Sequence, residues 1–481
     1  MLIGREKESK ELTKLLETDK SELVAVYGRR RVGKTFLINE IYKDQIIFRH
    51  TGMFLQNVKN KNAALKMELE SFQNDLRNFN LVDYLTPTPD NWLKAFSLLE
   101  KGIREKYNNK RVVLFLDELS WMDTPDSYFI EALSNFWNNY CFPSKNIILV
   151  VCGSSSSWLL DKIIYDKGGL YHRVTYQLQL FPFNLNEVEQ FLNYKNIHYS
   201  RYEIAQLYMM VGGIPYYLDY LRNDYSLPQN IDNLFFNEDS HLPNEFSDLF
   251  SSQFIDYEKY QGIVEFLGTK SIGYTSNEIA EKLFNNNPNG KLYNMLNALE
   301  RGGFIMSYNP FNESKRIKKY KLIDPFCLFY IKQIAPNKRK NNYWEKNFLS
   351  PKINTWRGLA FENLCYNHIN QIKNKMSILG LESEVSLFNQ KGDENTIGSQ
   401  IDLLLIRKDN IVNLCEMKFY NDKYSIDKDS HLNLMRKMES LYNVIPKRAS
   451  IQNVLVTTFG LSSGMYSSDY PIIITVDDLF E

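Results

Sequence analysis

The chain has 481 residues, enough for about three domains at roughly 150 residues each. Its 44% apolar and 24% charged residues are ordinary for a soluble globular protein, and Lys+Arg equals Asp+Glu at 57 each, so no global field points to nucleic acid or a membrane surface. The five cysteines are scattered without C-x-x-C spacing, which argues against a disulfide or zinc framework and for reduced thiols in a cytoplasmic protein.

In chain order, the opening MLIGREKESKEL is charged and lacks the apolar stretch of a secretory leader, and no later window is apolar for long enough to span a membrane. Residues 23–28 (LVAVYG) read as a strand ending in glycine, and a helical pattern runs from Gly33 to about Lys43. Between them, GRRRVGKT puts Gly28, Gly33, Lys34 and Thr35 in G-x-x-x-x-G-K-T spacing, in the strand-to-helix context the motif requires. The loop Gly28, Arg29, Arg30, Arg31, Val32, Gly33 would cradle phosphates with its backbone N–H groups, and the site runs on through Lys34, Thr35 and Phe36. Lys34 would reach the β/γ-phosphates of ATP, and Thr35 would hold Mg²⁺.

Further apolar runs at 46–48, 111–116 and 147–152 alternate with helical patterns at 91–107 and 127–140, which predicts a parallel sheet covered on both faces. VVLFLDE delivers Asp117 and Glu118 at the C-terminal end of its strand, the edge where such sheets bind ligands. Asp117 suits Mg²⁺ and Glu118 suits polarising an attacking water. The run after IILVVCG offers Ser154 or Ser155 as a γ-phosphate sensor, or alternatively as a helix N-cap.

Taken together, LIGREKE, YGRRRVGKT, LFLDE, VVCGSSSS, GGLYHRVT and GGIPYYL resemble the archaeal-type ATPase family, related to AAA+ and STAND ATPases, over about residues 1–235. The resemblance implies that Ile3, Gly4 and Arg5 lie near the adenine base. It makes Arg173 a candidate arginine finger or sensor, with a surface ion pair as the alternative, and Gly213-Ile214-Pro215 a coupling turn. A finger supplied in trans would require self-association.

Residues 186–222 read as helical, and 256–310 as helix, helix, turn, helix and strand, the pattern of a winged helix-turn-helix. NESKRIKKYK (312–321) carries five positive charges and one negative, suited to DNA phosphates or simply to a solvated hairpin. The Lys/Asn-rich stretch from 336 is the linker candidate. The expected organisation is therefore α/β: a P-loop core at 1–185, a helical lid at 186–250, a winged helix at 251–335, a linker at 336–349 and a last domain at 350–481.

In that last part, helical patterns at 357–373 and 430–442 flank GSQIDLLLIRKDNIVNLCEMKF (398–419), two apolar strands joined by a polar turn, with further strands at 451–457 and 471–475. Strand alternation puts Glu416 and Lys418 on one face, and hairpin pairing brings Asp402 beside Glu416. Carboxylates placed side by side repel unless a divalent cation such as Mg²⁺ sits between them, and the lysine can orient or deprotonate the attacking water. This Asp-(x13)-Glu-x-Lys arrangement resembles the PD-(D/E)xK nuclease family over about 350–481, although Gln400-Ile401 replace its usual proline. RGLAFENLC matches that family's first core helix, which implies Glu362 as a further metal ligand; His431 and Lys437 would lie near the substrate phosphate. The resemblance implies a Mg²⁺-dependent DNA nuclease joined to an ATPase. The competing expectation is an ATP-driven switch whose last domain is a non-catalytic platform for DNA or protein. A kinase-like transferase is disfavoured because nothing resembles an acceptor site.

Overall fold

A computed structural model describes residues 2–55, 58, 60–107, 110–154, 156–165, 167–254, 256–285, 287–311, 313–314, 317–390 and 398–481. The chain divides into two compact units, Met1–Phe181 with Gln253–Ile255, and Pro182–Ser252 with Asp256–Glu481.

The first unit is built on five parallel strands, β1 (Glu22–Tyr27), β2 (Ile46–Thr51), β3 (Val112–Asp117), β4 (Ile147–Gly153) and β5 (Tyr176–Gln179), in the order β2-β3-β4-β1-β5. Every residue of β3 and β4 is buried, as expected for near-continuous apolar runs covered on both faces. The helices Lys61–Asn78, Trp92–Lys106 and Phe129–Phe136 supply an aromatic layer. In it Trp92 packs on Phe72 and Phe129, and Phe96 stacks on Phe136 at 4.9 Å. Because the strands are parallel, Tyr27, Asp117 and Gly153 all end at one edge of the sheet.

The second unit opens with helices Leu185–Tyr194 and Arg201–Val211, each started by a capping box (Asn184 with Glu187, Ser200 with Glu203). Next come helix Tyr257–Leu267, β6 (Tyr274–Thr275), helices Ser276–Phe284 and Gly290–Arg301, then β7 (Ile305–Tyr308) and β8 (Lys319–Leu322). These three strands form an antiparallel sheet in the order β6-β8-β7. The stretch 336–349, expected as a linker from its composition, is tied in at Asn341, Asn342, Trp344 and Glu345. Trp344 is 1% exposed, packs against Phe329 and Trp356, and donates its backbone N–H to Asp232 Oδ1 at 2.7 Å. One large ring buried in this way outweighs a polar surrounding composition.

The final part places helix Pro351–Asn367 before a mixed sheet of β9 (Ser383–Gln390), β10 (Ser399–Arg407), β11 (Ile411–Lys418), β12 (Ser450–Thr457) and β13 (Ile472–Thr475). The order is β13-β12-β11-β10-β9, antiparallel from β9 to β11 and parallel from β11 to β13. Helix Lys428–Tyr442 forms the crossover that a parallel β11–β12 pair needs. Among the described residues no helix is long and apolar enough to cross a membrane.

His368 ties two helices of this unit together. Its Nδ1–H donates to Leu364 O at 2.8 Å, and its Nε2 accepts from Leu185 N at 3.1 Å. Burial lowers its pKa to about 4, with the Leu364 carbonyl opposing. As pH falls below 6.5 the unfolded chain takes up a proton that the folded chain refuses until about 4. Stability present at neutral pH is therefore lost across that window, by about 3 kcal/mol in total. Thermal melts at pH 7 and 4.5 should show this loss in the wild type and a flatter dependence in His368→Gln.

Candidate functional site

At the binding edge of the first unit, β1 hands over to helix Lys34–Ile41 through the glycine-rich loop. Gly28 has φ 145°, and a Cβ there would lie 2.2 Å from the Leu180 carbonyl oxygen, so only glycine lets the loop leave the strand against that backbone. Gly33 turns into the helix at φ 92°. Lys34, 6% exposed, donates through Nζ to the Gly28 and Arg29 carbonyls, both at 3.0 Å. Thr35 Oγ1 donates to Asp117 Oδ2 at 2.6 Å, so a loop hydroxyl and a strand-end carboxylate converge. Glu118 follows in a left-handed conformation (φ 47°), which costs about 1–2 kcal/mol and holds its side chain away from the strand axis. Its Oε2 accepts from Ser154 N at 3.2 Å and Ser154 Oγ at 2.8 Å.

Within the loop, Arg29 and Val32 are buried, Arg30 and Arg31 are half-buried, and Phe36 stands exposed on the first helical turn. Gly4 and Arg5 are both left-handed, and Arg5 is turned inward: Nη2 donates to Phe181 O at 2.7 Å and Val32 O at 3.3 Å. Arg5 thus clasps the loop through backbone carbonyls. Ser155 lies outside the described residues.

Arg173 is not brought to this edge. It precedes β5, whose Tyr176 pairs with Val24, and Thr175 donates to Leu23 O, so it sits at the opposite end of the sheet. Its guanidinium lies 5.4 Å over the Phe142 ring. A strand of this length spans about 20 Å, too far for Arg173 to serve the phosphate site of its own chain. Gly213-Ile214-Pro215, in the second unit, joins helix Arg201–Val211 to the next helix, and Phe183 N donates to Gly213 O at 2.7 Å.

The second unit carries its own cleft of about 1080 Å³, whose lining includes Glu362, Asp402, Lys418, Arg357, Tyr202 and Phe419. β10 and β11 pair Leu403 with Cys415, leaving Asp402 one residue beyond. Asp402 Oδ1 accepts from Gln400 Nε2 at 3.2 Å. Glu362, from helix Pro351–Asn367, accepts from Lys321 Nζ of β8 at 3.1 Å. Burial pushes the Glu362 carboxyl up to about 7; Lys321 pulls against this, and the Asp402 charge adds to it. Burial alone would lower the Lys418 ammonium, but Glu416 and Asp402 together hold it above its ordinary value.

Glu416 shares a face with Lys418 (3.5 Å), but it is turned to Lys437 of the crossover helix, with which it forms a tight ion pair, and it does not line the cleft. Among the described residues no group of three or more His, Cys, Asp or Glu side chains converges to hold a metal ion. His431 is committed to Asp469 at 2.7 Å rather than to the cleft. The basic strip at 312–321 is also less free than its composition suggests. Lys319 pairs with Glu313 at 2.7 Å and Lys321 is buried, while Lys315 and Arg316 lie outside the described residues.

Residues 2–221 match the family described as an ATPase domain predominantly from Archaea. Over these residues the chain is similar to archaeal-type ATPase domains. An uncharacterized protein of Methanocaldococcus jannaschii is 25% identical over 392 residues, 79% of either chain. An uncharacterized ATP-binding protein of Pyrococcus abyssi is 28% identical over 235 residues, 45% of this chain and 68% of that protein. Among solved structures, the Walker-type ATPase of Pyrococcus abyssi is 20% identical and covers 69% of this chain and 96% of its own, at a TM-score of 0.48.

Inside the stretch that matches this family the loop, Thr35, Asp117, Glu118 and Ser154 come together where the strand ends meet. The anchoring of Glu118 by Ser154 is beyond sequence reasoning, which offered Ser154 only as a phosphate sensor or cap. Ser154→Ala should lower ATP turnover about tenfold by releasing that carboxylate, with nucleotide affinity unchanged in a fluorescent-analogue titration.

Proposed function

We propose that the chain binds and hydrolyses ATP at the P-loop and cuts DNA in the second-unit cleft with a divalent cation. The observation that carries the first half is the 2.6 Å contact between Thr35 and Asp117. A hydroxyl and a carboxylate already converging are hard oxygen donors of the kind that hold Mg²⁺ against a nucleotide's phosphates. That cation would neutralise charge developing on the transferred phosphoryl group. Lys34 turns from the loop carbonyls to the β/γ-phosphates, the loop N–H groups hold the remaining oxygens, and Glu118, steadied by Ser154, orients the attacking water. Phosphate release measured in Lys34→Ala tests this half.

Support for the second half is the gathering of Glu362, Asp402 and Lys418 in one cleft on a helix-flanked mixed sheet, as the PD-(D/E)xK resemblance implies. Mg²⁺ there would be held by Asp402 and Glu362, and Lys418 would orient the attacking water. The module of β6–β8 with its three helices reads as a winged helix, and its exposed Lys318 suits a DNA phosphate. A second reading is favoured by one observation: Glu362 and Glu416 each already hold a lysine. In that reading the domain is a platform that ATP turnover switches on and off. Mn²⁺ titration of the full chain separates the two, since only the nuclease reading requires binding that Asp402→Asn removes. Arg173, standing at the far edge of its own sheet, would act as a finger only toward a second copy, which requires ATP turnover per chain to rise with protein concentration.

A further inference from the structure

The second-unit cleft contains a cation that, among the described residues, no acidic side chain matches. Arg357 lies on helix Pro351–Asn367, 6% exposed, and lines the cleft with Gly358 and Glu362. Its Nη1 donates to Asn354 Oδ1 at 2.8 Å, and its guanidinium rests 4.4 Å over the Phe348 ring. Among the described residues, Nη2 has no hydrogen-bond partner. A buried guanidinium cannot shed its proton, so leaving a donor unmatched is costly unless something arrives to accept from it.

The neighbouring position is shaped for such an arrival. A Cβ built on Gly358 would meet nothing within 4 Å, so the helix backbone lies open to the cleft one residue from Arg357. Asn354, Gly358 and Glu362 follow at helical spacing along the same wall. Beyond them, Tyr202 stacks on Phe419 at 5.2 Å and 7°, giving the cleft an aromatic side. A planar cation with a free donor, a bare backbone and a ring platform fit a phosphate carrying a base.

We propose that Arg357 is the phosphate anchor of the cleft, gripping a phosphodiester of a nucleic-acid strand that passes over Gly358 toward Asp402 and Lys418. The proposal rests on the nuclease reading for the direction of the strand and for nothing else. Asn354 orients the guanidinium through Nη1; Nη2, unpartnered but enclosed, reaches the phosphate oxygen once the fork turns toward the cleft. Phe348 holds the plane of the fork.

The test measures anisotropy of a labelled DNA oligonucleotide, single- and double-stranded, on the full chain in EDTA, over a series of salt concentrations. Arg357→Met keeps the packing on Phe348 and removes the charge; it should weaken binding about tenfold or more and reduce the salt slope by about 1. Gly358→Leu adds a better helix former, so its melting temperature should stay level or rise while DNA binding falls comparably. Both should retain wild-type ATP turnover. Wild-type DNA affinity in both variants would overturn the proposal, as would the absence of DNA binding by the wild type. Orthophosphate or AMP binding in place of DNA would overturn the strand as the ligand. Failure of the nuclease reading looks different: DNA would stay uncut by wild type and Asp402→Asn alike, while Arg357-dependent binding persisted.

Discussion

Lys34→Ala should reduce ATP hydrolysis by about 10³-fold, the scale expected when a charged donor to a developing anion is removed. The side chain is buried and already points into the glycine-rich loop, with its ammonium 3.0 Å from two loop carbonyls. It needs only to exchange those carbonyls for phosphate oxygens. Lys34→Arg should not rescue, because the guanidinium is a planar fork and the loop is shaped for a point charge. Phosphate release under saturating ATP, alongside a melting curve showing an intact fold, checks the result. Turnover within a few-fold of wild type would remove the P-loop from the mechanism.

The second large effect is expected at Asp402. Asp402→Asn should abolish strand cleavage, by at least about 10²-fold, while leaving ATP turnover unchanged. Asp402 is preferred over Glu416 because of what each touches. Glu416 is enclosed with Lys437 and Lys418, and truncating it leaves a buried lysine without its partner, at about 3–5 kcal/mol. Loss of cleavage in Glu416→Ala would therefore report on folding as much as on chemistry. Asp402 lines the cleft and is half-exposed, so its replacement by an amide of equal size isolates the charge. Plasmid nicking in Mg²⁺ or Mn²⁺, scored for both proteins at matched concentration, is the measurement. Equal cleavage would place the activity elsewhere.

Local features of the site were legible in the sequence, and long-range ones were not. The G-x-x-x-x-G-K-T spacing and the strand-end Asp117-Glu118 are read from a few consecutive residues, and the fold brings Thr35 and Asp117 to 2.6 Å of each other. The strand order, with β1 between β4 and β5, is carried by pairings between residues more than a hundred apart and leaves no local trace. Helix Lys61–Asn78 escaped notice because its apolar residues are spread among charges, and Phe72 and Leu76 count only once the sheet is there to receive them. The hairpin of β10 and β11 and the shared face of Glu416 and Lys418 follow from period-two alternation. What alternation could not say is which cation meets each carboxylate. Lys437 arrives from the crossover helix and Lys321 from a different sheet, 41 residues before Glu362. The same limit applies to Arg173: the motif around it suggested a role, while its position before β5 puts it at the wrong edge for its own nucleotide.

If one polypeptide holds divalent cations at two separate places, counting the bound ions reveals both. Electron paramagnetic resonance titration of Mn²⁺ into the full chain, with a non-hydrolysable ATP analogue, should resolve two classes of bound ion. Asp117→Asn should remove one class and Asp402→Asn the other, each leaving its counterpart intact. A single class, lost with Asp117→Asn and indifferent to Asp402, would contradict the claim and leave the C-terminal cleft without cation chemistry.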